Sequence, residues 1–263
     1  MDDAIARAAR YIAGHRMARR RMLELPAGIR PHDEIGAYRI QDAFHDIMTH
    51  AGWGRVVGHK IGCTTPVMQR FLGIDSPCAG GVFDRTVHRR RAELPVEDFL
   101  RAGVECEIIV FLDRDLPAAG APYDASGVSL AIGALAAGIE VVEDRYVDYK
   151  ALDAPTLIAD DFFNAGAIIG DPVPTWRSLD VAALIGSTQI NGRAAGDGRA
   201  SDVMGHPFAA LAWLANTLAK RGRSLVKGEF VCTGSIVETK WVARGDHCTA
   251  TIDGLGSVEA RFV

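Results

Sequence analysis

One stretch constrains this chain more than any other: Gly103-Val104-Glu105-Cys106-Glu107-Ile108-Ile109-Val110-Phe111-Leu112. It is apolar on both of its alternating faces, which predicts a strand buried on both sides near the centre of a sheet. Two carboxylates interrupt it close to its start. Side chains in a strand repeat every second residue, so Glu105 and Glu107 share a face, roughly 7 Å apart at Cα, and Ile109 and Phe111 continue that face. Like charges in apolar surroundings require a counter-charge. A divalent metal at a pocket mouth would supply it; so would salt bridges, and a solvated face would not need it. The pair alone does not choose.

A second acid-bearing strand is expected over Gly138-Ile139-Glu140-Val141-Val142-Glu143-Asp144-Arg145-Tyr146, preceded by an alanine-rich helix from Val128 to Gly138. Glu140 stands in its strand much as Glu105 and Glu107 stand in theirs. Three carboxylates on strands joined by one helix can converge on a hard cation, and oxygen ligands with retained waters are typical of magnesium. A third short strand, Val56-Val57-Gly58-His59-Lys60-Ile61-Gly62-Cys63-Thr64, holds one lysine between glycines. The glycines permit close approach of a ligand or another backbone, so Lys60 can reach a pocket; the plainer reading is a packed stem with its amine in water.

The remaining pattern is that of an α+β chain. Helices are expected over Asp2–Leu25 and Asp33–Ala51, then Thr65–Leu72, and later from Phe208 to Lys220, with Pro207 as its first residue and Gly222 as its stop. Ala159-Asp160-Asp161-Phe162-Phe163-Asn164-Ala165-Gly166 reads as a polar turn running into a strand, in which Asp160 can orient a water or merely stabilise the turn. A strand ends in Val231-Cys232-Thr233-Gly234-Ser235. His247–Ile252 and Ser257–Phe262 flank the hairpin signal Asp253-Gly254-Leu255-Gly256. The expected division is a helical region over 1–55 followed by a core over 56–263.

Other classes of function find little support. The formal charge of −4 gives no electrostatic case for nucleic acid or an anionic membrane. No stretch nears the roughly 20 apolar residues that span a bilayer, and Met1-Asp2-Asp3 is unlike a signal peptide, so a cytoplasmic location is expected. Five cysteines without a Cys-x-x-Cys pair argue against a disulfide framework or a zinc site. Dinucleotide, P-loop and nucleophile-elbow spacings are missing.

Taken in order, Gly58–Thr64, Gly103–Glu107, Gly138–Tyr146, Gly205-His206-Pro207 through Asn216, and Val231–Ser235 resemble the 2-keto-4-pentenoate hydratase family, which also contains 4-oxalocrotonate decarboxylases and lies within the fumarylacetoacetate hydrolase superfamily. The likeness covers nearly the whole chain. It implies a β-rich core with flanking helices, magnesium or manganese held by Glu105, Glu107 and Glu140, Lys60 in the substrate site and in proton transfer, and Thr233 and Ser235 near a substrate carboxylate. The implied reaction is addition of water to a 2-hydroxy-2,4-dienoate, giving a 4-hydroxy-2-oxo acid, in the catabolism of aromatic compounds. Decarboxylation of a 2-oxo diacid is the second reading, and a catalytically weak 2-oxo acid binder or partner subunit the third. The family also implies a homo-oligomer, associated in some cases with a related decarboxylase or hydratase. Two departures stand out: Cys78 follows Ser76-Pro77 where an acid is common, and Ala159–Gly166 replaces a smaller, more polar stretch. Both fall where substrate and attacking water are expected.

Overall fold

The computed structural model describes residues 3–65, 69–70 and 73–263. In chain order it comprises α1 (Asp3–Met17), α2 (Glu34–Met48), β1 (Val56–Gly62), β2 (Cys78–Phe83), β3 (Val87–Arg89), β4 (Arg91–Leu94), β5 (Ala102–Leu112), α3 (Ala125–Ser129), β6 (Ile132–Glu143), α4 (Ala154–Ala159), β7 (Asn164–Ile169), β8 (Ile185–Ile190), β9 (Arg193–Arg199), α5 (Pro207–Ala219), β10 (Phe230–Ser235), β11 (Lys240–Trp241), β12 (His247–Ile252) and β13 (Gly256–Phe262). The class is α+β. Most of the helix expected over Thr65–Leu72 lies outside the described residues.

The doubly apolar strand takes the central place its pattern requires. The larger sheet runs β2-β1-β10-β5-β6-β7-β3, with β11 also paired to β5. A smaller sheet, β4-β13-β12-β8-β9, packs against β5 and β6. Alternation then divides β5 between two environments. Cys106 points toward the small sheet, with its Sγ 4.0 Å from the carbonyl of Thr251. The glutamate face continues through Ile109 into a cluster with Val82, Ala136, Ala167, Ile169, Phe230 and Cys232.

β5 and β6 are antiparallel neighbours, with Glu105 opposite Glu140 and Glu107 opposite Gly138. This corrects the expected helix from Val128 to Gly138: only Ala125–Ser129 is helical, and the strand begins at Ile132. The run Gly133-Ala134-Leu135-Ala136-Ala137-Gly138 has helical propensity, but its small side chains serve the sheet. A Cβ on Gly138 would stand 2.4 Å from Ile109 Cγ1, so this position accepts only glycine if the neighbouring strand is to carry Ile109. Tertiary pairing overrides local preference here. The three acids therefore come together on adjacent strands, with no helix between them.

The N-terminal segment joins the core. α1 stops at Met17, short of the expected Leu25. Arg19 adopts a left-handed φ of 48°, and Met22 then pairs through its backbone with Arg145 and Val147. Gln41 on α2 donates to the carbonyls of Ala79 and Ile158 at 2.9 and 2.7 Å, tying the helix to β2 and α4. Ile5, Ile12, Tyr38 and Phe44 belong to the same apolar cluster as Ile108, Ile139 and Phe262.

Candidate metal and substrate site

Glu105, Glu107 and Glu140 each offer one oxygen within 4.8 Å of the others. Glu107 and Glu140 are fully buried. In each carboxylate one oxygen is held by the chain. Gly234 N–H donates to Glu107 Oε2 at 2.7 Å, Asn164 Nδ2 to Glu140 Oε1 at 2.9 Å, and the Thr239 hydroxyl to Glu105 Oε1. Glu107 Oε1 and Glu140 Oε2, both buried, have no hydrogen-bond partner among the described residues. An orphaned buried carboxylate oxygen is costly, and two facing the same cluster form a hard, anionic oxygen donor set. The residues fit a divalent cation.

Close approach makes the arrangement possible. Gly234 has a φ of 117°, and a Cβ there would lie 2.5 Å from Thr64 Cγ2, so glycine alone lets this N–H reach Glu107. Lys60 comes from β1, which runs parallel to β10 with Lys60 opposite Cys232. Its side chain is 3% exposed, and its Nζ lies 3.3 Å from Glu140 Oε1 and donates to the Phe162 carbonyl at 2.9 Å.

The charges are strongly coupled. Burial, then repulsion from Glu140 and Glu105, raises Glu107 well above the usual carboxylate range. Burial also raises Glu140, the nearby ammonium of Lys60 restrains it, and it is pushed up to about 7. For Lys60, burial alone would depress the pKa, but attraction from Glu140, Glu105 and Glu107 outweighs it and holds the ammonium above its ordinary value.

Beside this cluster a cavity of about 440 Å³ opens. Lys60, Glu105 and Ser235 line it at the charged end, with Thr64, Thr65 and Thr239, and Phe162, Phe163, Tyr149 and Trp241 are among its apolar walls. Of the residues expected to touch substrate, Ser235 is there; its hydroxyl donates to the Val237 carbonyl at 2.5 Å. Thr233 does not line the cavity. It is fully buried and its hydroxyl donates to the Ile108 carbonyl at 3.0 Å, which joins β10 to β5.

Asp160 is likewise elsewhere. Arg145 Nε and the Tyr146 hydroxyl both donate to its Oδ2 at 2.9 Å, and Arg16 Nη1 stands 3.6 Å from its Oδ1. Asp160 is thus held among buried donors and does not line the cavity. Cys78 is buried outside the cavity lining. A hydrogen bond with Cys63, then burial, raises its thiol pKa well above normal.

Sequence reasoning missed Asn164, Thr239 and the Gly234 amide, the groups that orient the glutamates. The only advance signal was their position in or beside stretches already singled out, Ala159–Gly166 and Val231–Ser235.

Comparison with known proteins finds relatives in both sequence and structure. The 2-keto-4-pentenoate hydratase of Burkholderia vietnamiensis is 34% identical over 230 residues, covering 88% of this chain and 86% of that protein. A 4-oxalocrotonate decarboxylase of Pseudomonas putida is 30% identical over 209 residues, covering 80% and 78%. Among solved structures, the 4-oxalocrotonate decarboxylase of Pseudomonas putida G7 complexed with magnesium and adipate matches with a TM-score of 0.92 and 26% identity, over 100% of this chain and 98% of that one. Residues 83–263 match the fumarylacetoacetate (FAA) hydrolase C-terminal family model. The chain belongs to the fumarylacetoacetate hydrolase superfamily and, within it, to the family of 2-keto-4-pentenoate hydratases and 4-oxalocrotonate decarboxylases.

Proposed function

We propose that this chain is a divalent-metal-dependent lyase that adds water to a 2-hydroxy-2,4-dienoate, giving a 4-hydroxy-2-oxo acid. The observation that carries the reading is the trio of glutamates, each with one oxygen held by the chain and two of the remaining oxygens buried without hydrogen-bond partners among the described residues, beside a cationic lysine on the wall of a cavity. Glu105, Glu107 and Glu140 would hold magnesium or manganese. When bound, such an ion acts as a Lewis acid that favours negative charge on the substrate's 2-oxygen, a contribution of several kcal/mol.

The chain's own groups supply the rest. Lys60 Nζ, kept as an ammonium by the surrounding glutamates, pairs with the substrate carboxylate, and it is also the side chain best placed for proton transfer. Loss of the enolic proton and protonation at carbon 5 leave a 2-oxo-3-enoate. Water then bonds at carbon 4 while carbon 3 takes a proton, so one water is added overall. Phe162 and Phe163 shield one side of the cavity, and the Ser235 hydroxyl stands at its charged end. The homo-oligomeric state implied by the family belongs to the same proposal, and sedimentation equilibrium tests it.

Decarboxylation of a 2-oxo diacid is the second reading. It is favoured by the full-length structural likeness to a decarboxylase complexed with a dicarboxylate. Loss of the conjugated dienol absorbance with added magnesium tests the first, and carbon dioxide release from 4-oxalocrotonate tests the second. Glu105→Ala treated with EDTA should be inactive in both; full activity in that protein would remove the metal from the account.

A further inference from the structure

The aromatic part of the cavity wall begins beside Lys60, whose Nζ stands 5.2 Å from the centre of the Phe162 ring. Phe163 packs edge-to-face against Phe162 at 5.5 Å and 84° and against Tyr149 at 5.5 Å and 88°. Trp241 and Val142 extend this apolar wall. At the roughly 30 Å³ that a water takes in the liquid, about 440 Å³ accommodates on the order of fifteen such units, whereas the unsubstituted five-carbon dienoate has only about eight non-hydrogen atoms. The space exceeds what that acid fills.

Charge points the same way. Among the described residues that line the cavity, Lys60 is the only cation, and it is engaged by Glu140 at the metal end. The other ionisable groups there include Asp202 and Glu238, both acidic. Arg101 approaches Trp241 but does not line the cavity; it lies over the indole at 4.1 Å and reaches Asp144 at 3.4 Å. A second carboxylate on the ligand would find no further cation among these described lining residues.

The aromatic wall is also held rigidly. Asp161, Phe162 and Phe163 take successive left-handed φ values of 55°, 47° and 69°, a conformation that costs free energy in non-glycine residues. It is fixed from behind, because Asp161 accepts from Gly81 N–H at 2.8 Å, faces His45 Nε2 at 2.6 Å and lies 3.5 Å from Arg16 Nη1. Strain maintained in this way, on the one turn that presents two phenyl rings to the cavity, indicates a wall built for recognition.

We propose that the substrate carries, on the carbon remote from its 2-oxo acid end, an uncharged apolar substituent as large as an aryl ring, and that a second carboxylate at this position is rejected. The inference rests on the reading of the site as one for 2-oxo and 2-hydroxydienoic acids. Phe163 and Trp241 are its specificity-determining residues.

The test uses the magnesium-loaded protein with two kinds of probe. Calorimetric binding of the saturated acids 2-oxo-5-phenylpentanoate and 2-oxoadipate measures recognition without turnover, and kcat/KM for 2-hydroxypenta-2,4-dienoate, its 5-phenyl derivative and the 5-carboxylate measures catalysis. The phenyl acid should bind at least about tenfold more tightly than the diacid, and the 5-phenyl dienoate should lead in kcat/KM by a similar factor. Phe163→Ala and Trp241→Leu should each erode the phenyl preference, read as the ratio of kcat/KM for the 5-phenyl dienoate to that for the unsubstituted dienoate. Equal or tighter binding of the diacid overturns the inference. A phenyl preference in binding, with no dienoate consumed, supports the inference and overturns the hydratase reading. Binding of neither acid overturns both.

Discussion

Two groups of buried charge lie side by side in this molecule, and they are built on opposite principles. In one, Arg16 and Arg145 meet Asp160, Asp161 and Glu143, and His45 adds a contact to Asp161. Its acids each face a base, although Asp160 Oδ1, 3.6 Å from Arg16 Nη1, has no hydrogen bond among the described residues. In the other, Glu105, Glu107 and Glu140 face a single lysine, and two carboxylate oxygens have no hydrogen-bond partner among the described residues. Asn164 touches both: its Nδ2 donates to Glu140, while its carbonyl accepts from Arg16 at 2.7 Å and Arg145 at 3.0 Å. The balanced group is a girder. The unbalanced group is a receptor that waits for positive charge, and the girder keeps it in shape.

That contrast can be broken from either side. The largest effect on stability is expected from Arg145→Met, which strands Asp160 and Glu143; removing one partner of a buried ion pair costs about 3–5 kcal/mol. Urea denaturation should show this loss with magnesium present or absent. Equal stability of Arg145→Met and wild type would mean that the balanced group holds nothing.

A smaller effect is expected at the receptor's edge. Thr239→Val removes the hydroxyl that holds Glu105 Oε1, and loss of such an orienting partner lowers metal affinity by about 10–100-fold. Manganese titration should show weaker binding with little change in metal-free stability. An unchanged affinity would assign Thr239 to packing alone.

The smallest is a slope. Glu140 sits at about 7 in the folded, metal-free protein against an ordinary value of 4.5. Its proton is therefore held more tightly in the folded state than in the unfolded one. The resulting stabilisation is complete below pH 4.5 and is lost as the pH rises through 7. Metal-free wild type compared with Glu140→Gln should show this decline between those values, and saturating magnesium should flatten it. A difference that grows with pH would reverse the sign and contradict the burial argument.

Much of the receptor was legible in the sequence because strand alternation is a strict rule. Glu105 and Glu107 on one face, with Ile109 continuing it, required only a period of two, and Glu140 stood in a comparable run. The girder was not legible. Asp160 reads as a polar turn residue until Arg145 and Arg16, 15 and 144 residues away in sequence, are brought onto it. The helix expected over Val128–Gly138 failed for a related reason: alanine and glycine favour a helix or permit close packing according to what lies alongside, and here that is Ile109. The orienting groups Asn164, Thr239 and the Gly234 amide carry no motif, since an amide, a hydroxyl and a backbone N–H become ligand supports only by position. The resemblance to a known family supplied order where local pattern could not.

The central claim is that the three glutamates bind one divalent ion through the oxygens the chain leaves available. Manganese binding followed by electron paramagnetic resonance, on wild type and on Glu105→Gln, Glu107→Gln and Glu140→Gln, tests it directly. One ion per chain in wild type, with affinity reduced at least about 100-fold in every variant, is the expected result. Binding of equal strength in all four proteins would contradict it.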